Sequence, residues 1–190
     1  MGQLTLYTAN MLGRPILGLL TVKLFILCAT PCPAQAAGEG EKQVSGALGF
    51  ALAGSDDRAR PGMQAGIEAM MGFTDAWAGR AAVSGSWQPD SAAGTLRHVT
   101  AVSLGATYSL DIVRWVPFVD LGFSLADLRG GGTSSQRLGP QVGLGAEYLL
   151  SRRWTLAALA RFDFLALRLA GSGGGQLWWL CAGLRVSRVF

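Results

Sequence analysis

From residue 43 onward the chain alternates between apolar and polar or small residues over eight segments, near 43–54, 62–73, 77–87, 97–109, 115–126, 138–149, 154–168 and 177–190. Successive side chains of a strand point to opposite faces, so a period of two predicts β-strands. In the seventh segment Trp154, Leu156, Ala158, Ala160, Phe162, Phe164 and Ala166 share one face, and Thr155, Ala157, Leu159, Arg161 and Asp163 share the other. The sixth sets Val142, Leu144, Ala146 and Tyr148 against Gln141, Gly143, Gly145 and Glu147. The fifth sets Val119, Leu121, Phe123 and Leu125 against Asp120, Gly122 and Ser124, and the fourth sets Val102, Leu104, Ala106 and Tyr108 against Ser103, Gly105 and Thr107. In the second, Glu68 joins Gln64 and Gly66 opposite Ile67 and Met71.

Alternation alone does not say which face is inside. A soluble barrel or sandwich has the same pattern with its apolar face inward. The polar face decides between them. A soluble exterior is rich in Lys and Glu, but here that face is mostly Gly, Ala, Ser and Thr with one or two charges per strand. Small residues suit the crowded interior of an eight-stranded barrel. The apolar face is therefore expected to meet lipid. Composition agrees, since only 15% of the 190 residues are charged, half are hydrophobic and 27 are glycine.

Aromatic residues mark the strand ends. Phe73 and Trp77 flank one short turn, Tyr108 and Trp115 a second, Tyr148 and Trp154 a third, and Phe190 ends the last segment. Aromatic rings favour the membrane–water boundary, and a ring of them at one rim is the girdle of a transmembrane barrel. Trp87 and Trp178 are assigned to a second girdle at the opposite rim. Lipid supplies no partner for an open sheet edge, so the first strand must pair with the eighth. The fold expected is all-β, an eight-stranded antiparallel up-and-down transmembrane β-barrel over residues 37–190. Both ends of that barrel then lie on the aromatic-turn side, the periplasmic side. The outward connections are expected near 55–61, 88–96, 127–137 and 169–176, where turn formers cluster.

Residues 1–36 read as a signal peptide that is removed, with Arg14 and Lys23, an apolar stretch from Ile16 to Leu27, and Ala34-Gln35-Ala36 as the cleavage signal. An N-terminal membrane anchor is the alternative. Met1 and Met11 are both candidate starts. Cys28 and Cys32 fall in this segment, which leaves Cys181 alone in the mature chain, without an intrachain disulfide or a multi-cysteine metal site. The formal charge of +4 is scattered and forms no basic stripe, so nucleic acid is not an expected partner.

Three stretches carry a resemblance. Val116-Pro117-Phe118-Val119-Asp120-Leu121-Gly122 is similar to a Pro-aromatic-x-x-x-Gly strand, and Gly143-Leu144-Gly145-Ala146-Glu147-Tyr148-Leu149 to a Gly-x-Gly-x-Glu-Tyr strand. The last strand, with Gly183-Leu184 and terminal Phe190, is the third. Together they resemble the small outer-membrane β-barrels typified by the membrane domain of outer-membrane protein A and the opacity-like proteins. The resemblance implies a Gram-negative outer-membrane location and recognition of the last strand by the barrel-assembly machinery. Arg188 departs from that terminal pattern, where an aromatic or apolar residue is usual.

Alternation sends Glu68, Arg80, Asp120, Glu147, Arg161, Asp163 and Arg185 into the lumen. An unpaired buried charge is costly, so these are expected to pair as a plug; a gated polar path is the functional alternative. Paired carboxylates for glycoside hydrolysis would need a cleft that this lumen hardly offers. His98, the one histidine, lies on the lipid-facing side two residues from Thr100, so both point the same way. His beside a hydroxyl can serve as base and nucleophile, and His98-Val99-Thr100 resembles the His-x-Ser of some barrel-shaped lipid A deacylases. Here Thr replaces Ser, and no clear acidic orienting residue lies on that face. The glycine run Gly171–Gly175 lacks the Lys and following helix of a phosphate loop. The role expected is therefore non-enzymatic, a monomeric structural or surface barrel in outer-membrane lipid without cofactor or metal. The alternatives are a narrow channel for small solutes and a lipid A-modifying enzyme centred on His98.

Overall fold

A computed structural model describes residues 39–55, 58–90, 95–110, 114–130, 133–171 and 177–190. The signal peptide expected over 1–36 and parts of the expected outward loops lie outside these residues. Nine strand segments form one antiparallel sheet: β1 Lys42–Ser55, β2 Arg58–Gly72, β3 Trp77–Asp90, β4 Thr95–Ser109, β5 Trp115–Gly130, β6 Thr133–Leu149, β7 Trp154–Leu165, β8 Leu167–Gly171 and β9 Leu177–Val189. β7 and β8 are two parts of one crossing strand, so the wall has eight strands. β1 pairs with β9 and β5 with β6, which closes the sheet.

Closure comes with a stagger. Hydrogen-bonded partners followed around the wall run from Gln43 through Met70, Arg80, Gly105, Gly122, Gln141, Asp163 and Trp179 to Ala53, ten residues further along β1. That shear tilts the strands and sets the width of the interior. The alternating burial along the strands puts Leu48, Phe50, Ile67, Leu104, Phe123 and Leu144 on the exposed, lipid-facing side.

The turns at the rim near the termini follow from local chemistry. Thr74 Oγ1 accepts from the backbone N–H of Trp77 at 3.0 Å and of Ala76 at 3.3 Å, while the N–H of Phe73 donates to the Trp77 carbonyl at 2.8 Å. Ser151 Oγ does the same for Trp154 at 3.2 Å and Arg153 at 3.3 Å, and Leu150 N–H donates to the Trp154 carbonyl at 3.0 Å. A hydroxyl three residues before the tryptophan thus caps both turns. The rings above them pack in pairs, Trp77 on Tyr108 and Trp115 on Tyr148, each 4.9 Å between centroids.

The far ends of the strands differ from the sequence expectation. β3 runs to Asp90, β5 to Gly130, and β6 starts at Thr133, so much of the loops expected at 88–96 and 127–137 is strand. Asp and Gly near those ends read as turn formers, but closed-sheet pairing outweighs the local preference. The seventh segment also does not alternate unbroken through residue 168. Leu165 is buried, then Ala166 and all of β8 are exposed. The pairing to β6 slips twice here: Gln141 pairs with Asp163, Leu138 with Leu167, and Gln136 with Ala170. Each slip inserts an extra residue, a bulge that bends the strand.

Close backbone approach explains several lumenal glycines. A Cβ on Gly105 would lie 2.2 Å from the Leu121 carbonyl oxygen, whereas one on Gly46 meets nothing within 4 Å. Gly105→Ala is expected to destabilise the barrel by about 1–3 kcal/mol, and Gly46→Ala to stay within about 0.5 kcal/mol. Urea unfolding in lipid vesicles measures both, and equal midpoints for the two variants would contradict the close approach.

Candidate functional site

Two places carry chemistry, one inside the barrel and one on its outer wall. Inside, β2, β3, β5, β6, β7 and β9 each contribute a charge. Glu68, Arg80, Asp120, Glu147, Arg161, Asp163 and Arg185 are all buried. Glu68 is the hub. Its Oε2 accepts from Arg80 at 3.3 Å and from Arg161, and its Oε1 accepts from Arg185 at 2.5 Å. Three guanidinium groups from three strands thus converge on one carboxylate. Asp120 accepts from Arg161 Nε at 3.0 Å and from Thr107 at 2.7 Å. Glu147 accepts from Gln43 at 2.8 Å, from Arg185 at 3.3 Å and from Thr155. Arg80 also donates to Gln141, whose amide donates to Asp163 at 2.7 Å.

Asp163 therefore joins the network through Gln141. Small residues make room for it: a Cβ on Gly143 would lie 2.8 Å from Arg161 Cγ and 3.1 Å from Asp120 Cβ. Phe118, in the resemblance-bearing stretch, points inward, and the guanidinium of Arg185 stacks 4.7 Å from its ring centroid.

The interior is not uniformly small and polar, as the sequence led one to expect. Toward the rim away from the termini, Val99, Leu128, Leu165, Leu177 and Trp179 pack with Cys181, Ala51, Ala53, Ala101 and Ala126 in a buried apolar cluster. Inward alternation from Cys181 reaches Trp179 and Leu177, so the signal was present. It was masked because the same stretch also offers Trp178 to the outside.

The girdle residues lie at the two rims. Phe73, Trp77, Tyr108, Trp115, Trp154 and Phe190 are exposed near the termini, with Tyr148 half-buried. At the other rim Trp87 is exposed and Trp178 half-buried, the latter stacked on Phe162 at 6.5 Å. Arg188 lies against Trp154 and Phe190, 5.9 Å and 4.9 Å from their ring centroids. The cation is thereby accommodated among apolar rings.

On the outer wall, His98 Nδ1 lies 3.4 Å from Thr100 Oγ1, and its ring lies tilted 5.6 Å from that of Trp87. The sequence reading found no acid on this face. The structure places one there, because β5 continues past residue 126 and carries Asp127 directly across from Thr100. Asp127 does not orient the imidazole. Its carboxylate is held by Arg129, at 2.9 Å from Nε and 2.7 Å from Nη2, while His98 Nε2 sits over Gly85 on β3, the opposite side from β5. Around these residues lies a cleft of about 300 Å³ lined also by Val102, Leu125 and Gln136. No cluster of metal ligands occurs among the described residues.

Removal of Glu68 would leave three buried cations without their shared partner. Glu68→Ala is expected to destabilise the barrel by about 3–5 kcal/mol, and Arg161→Ala and Asp163→Ala are also expected to destabilise it. Thermal unfolding in lipid, unchanged for Glu68→Ala, would contradict the shared hub.

The family described as outer membrane protein beta-barrel domain matches residues 21–170. Comparison of the sequence with curated proteins finds no match. Among solved structures, Neisserial surface protein A aligns with a TM-score of 0.63 at 21% identity, covering 79% of this chain and 99% of that one. OprG of Pseudomonas aeruginosa aligns at 0.57 and 12% identity, covering 83% and 99%. Ail, the attachment invasion locus protein of Yersinia pestis, aligns at 0.52 and 12% identity, covering 80% and 99%. At these identities the likeness is one of fold. The family match spans most of the strands, the wall is closed, and apolar and aromatic residues face outward all round. The chain belongs to the outer membrane protein beta-barrel domain family and is an outer-membrane β-barrel.

Proposed function

We propose that this barrel has a non-enzymatic, structural or surface role and that its lumen is closed to solutes. The observation that carries the reading is the convergence of Arg80, Arg161 and Arg185 on Glu68, with the apolar cluster around Trp179 stacked on the same axis. A polar path would have to break the first and wet the second. A surface role is supported by the likeness to a Neisserial surface protein and to an attachment protein.

In this reading residues 1–36 direct export, and the barrel-assembly machinery takes the strand that ends at Phe190. The barrel then stands as a monomer in outer-membrane lipid. An enzyme centred on His98 is disfavoured by the ring's orientation, since Nε2 faces Gly85 and Asp127, the acid across the strand, is held by Arg129.

Two measurements bear on this. In a planar bilayer the folded barrel is expected to be silent, and Trp179→Ala alone is expected to remain so because the charged layer persists. Steady openings of the unmodified barrel, altered by Arg161→Ala, would instead establish a narrow channel. In cells, His98→Ala is expected to leave lipid A acylation unchanged; a shift in acyl-chain number would restore the enzyme reading.

A further inference from the structure

The outer wall of a barrel should be apolar at membrane depth, yet β4, β5 and β6 place His98, Thr100, Asp127, Arg129 and Gln136 together on that face. The group lies at the strand ends away from the termini, on the side of the outer leaflet. It is layered. The polar groups stand toward the rim, and Val102 and Leu125 floor the same cleft two residues deeper than Thr100 and Asp127. A cleft that is polar above and apolar below is matched to a molecule with a polar head and a hydrocarbon tail.

The polar groups narrow the head. The Arg129 side chain is 72% exposed, and its bonds to Asp127 use Nε and one Nη2 position, which leaves further N–H groups directed outward. A guanidinium oriented in this way is suited to a phosphate, which it can grip through two hydrogen bonds. Asp127 spends Oδ2 on Arg129. Its Oδ1 is shielded and has no hydrogen-bond partner among the described residues, so Asp127 keeps an unmet acceptor beside the cleft it lines. A hydroxyl donor from the same head would satisfy it. Thr100 adds one hydroxyl on the same face, 3.4 Å from His98 Nδ1, and Trp87 stands beside them at the depth where indole rings meet head groups.

We infer that this cleft holds the head of a phosphorylated, hydroxyl-bearing lipid of the outer leaflet, a phosphorylated glycolipid. Arg129 contacts the phosphate, Asp127 and Thr100 contact sugar hydroxyls, and Val102 and Leu125 receive the first carbons of an acyl chain. The site involves no bond making and does not depend on whether the lumen conducts.

The test uses the full chain purified from membranes and placed in phosphatidylcholine nanodiscs. These contain a few per cent of lipid A or of the same lipid with its phosphates removed. Native mass spectrometry of the released barrel counts the lipid retained. The phosphorylated form is expected to be retained about tenfold over the dephosphorylated one, and Arg129→Ala and Arg129→Gln to abolish that preference. Arg153→Ala, at the opposite rim, is expected to keep it. Equal retention of the two lipids by the unmodified barrel would overturn the inference, as would an unchanged preference in both Arg129 variants. Displacement of the lipid by millimolar inorganic phosphate alone would also overturn it, by reducing the cleft to a site for the free ion.

Discussion

A backbone in lipid has nowhere to place an unpaired N–H or carbonyl. The rest of this molecule depends on that constraint. It requires β1 to find β9, and closure at eight strands with a ten-residue stagger fixes a narrow interior. Everything that points inward must share that space. Gly105, Gly122 and Gly143 occur where neighbouring backbone or the stem of Arg161 occupies the room a side chain would take. The outward face bears no such restriction and carries large apolar residues such as Phe50 and Phe123.

Charges inside so narrow a space cannot stand alone. Six strands supply them, and the ion pairs are shared, with Glu68 serving three arginines and Arg161 bridging Glu68 and Asp120. Because the partners come from strands distant in the sequence, the network can form only when the wall is closed. It therefore reports register: a strand shifted by one residue would send its charge to lipid and its apolar neighbour to the lumen. Breaking such a network is costly, although its net worth against an apolar core is a separate matter.

The sequence made the wall legible and the rims less so. Period-two alternation located Glu68, Asp120 and Arg185 on the inner side because parity is a strictly local property of a strand. It did not reveal which inward residues would touch, since that depends on stagger, a property of the whole ring. Asp127 was missed for a different reason. Aspartate and the glycines that follow it favour turns in isolation, and only pairing with β4 and β6 carries β5 past it. The hydroxyl-capped turns at Thr74 and Ser151 were readable in principle, as a Thr or Ser three residues before Trp. The bulge at Ala166 left no signal, because Phe164, Leu165 and Leu167 suit either face.

That bulge separates the seventh crossing strand into two parts with different obligations. β7 answers to the lumen, whereas β8 hydrogen-bonds to β6 and exposes all five of its residues. Sequence change from Leu167 to Ala170 therefore has no buried side chain to disturb, whereas Gly171 is fixed by its positive φ of 94° and the nearby Ser134 carbonyl. On this stretch of the wall the side chains of the outward rim are free to vary, while the strand below it stays tied to the charged layer.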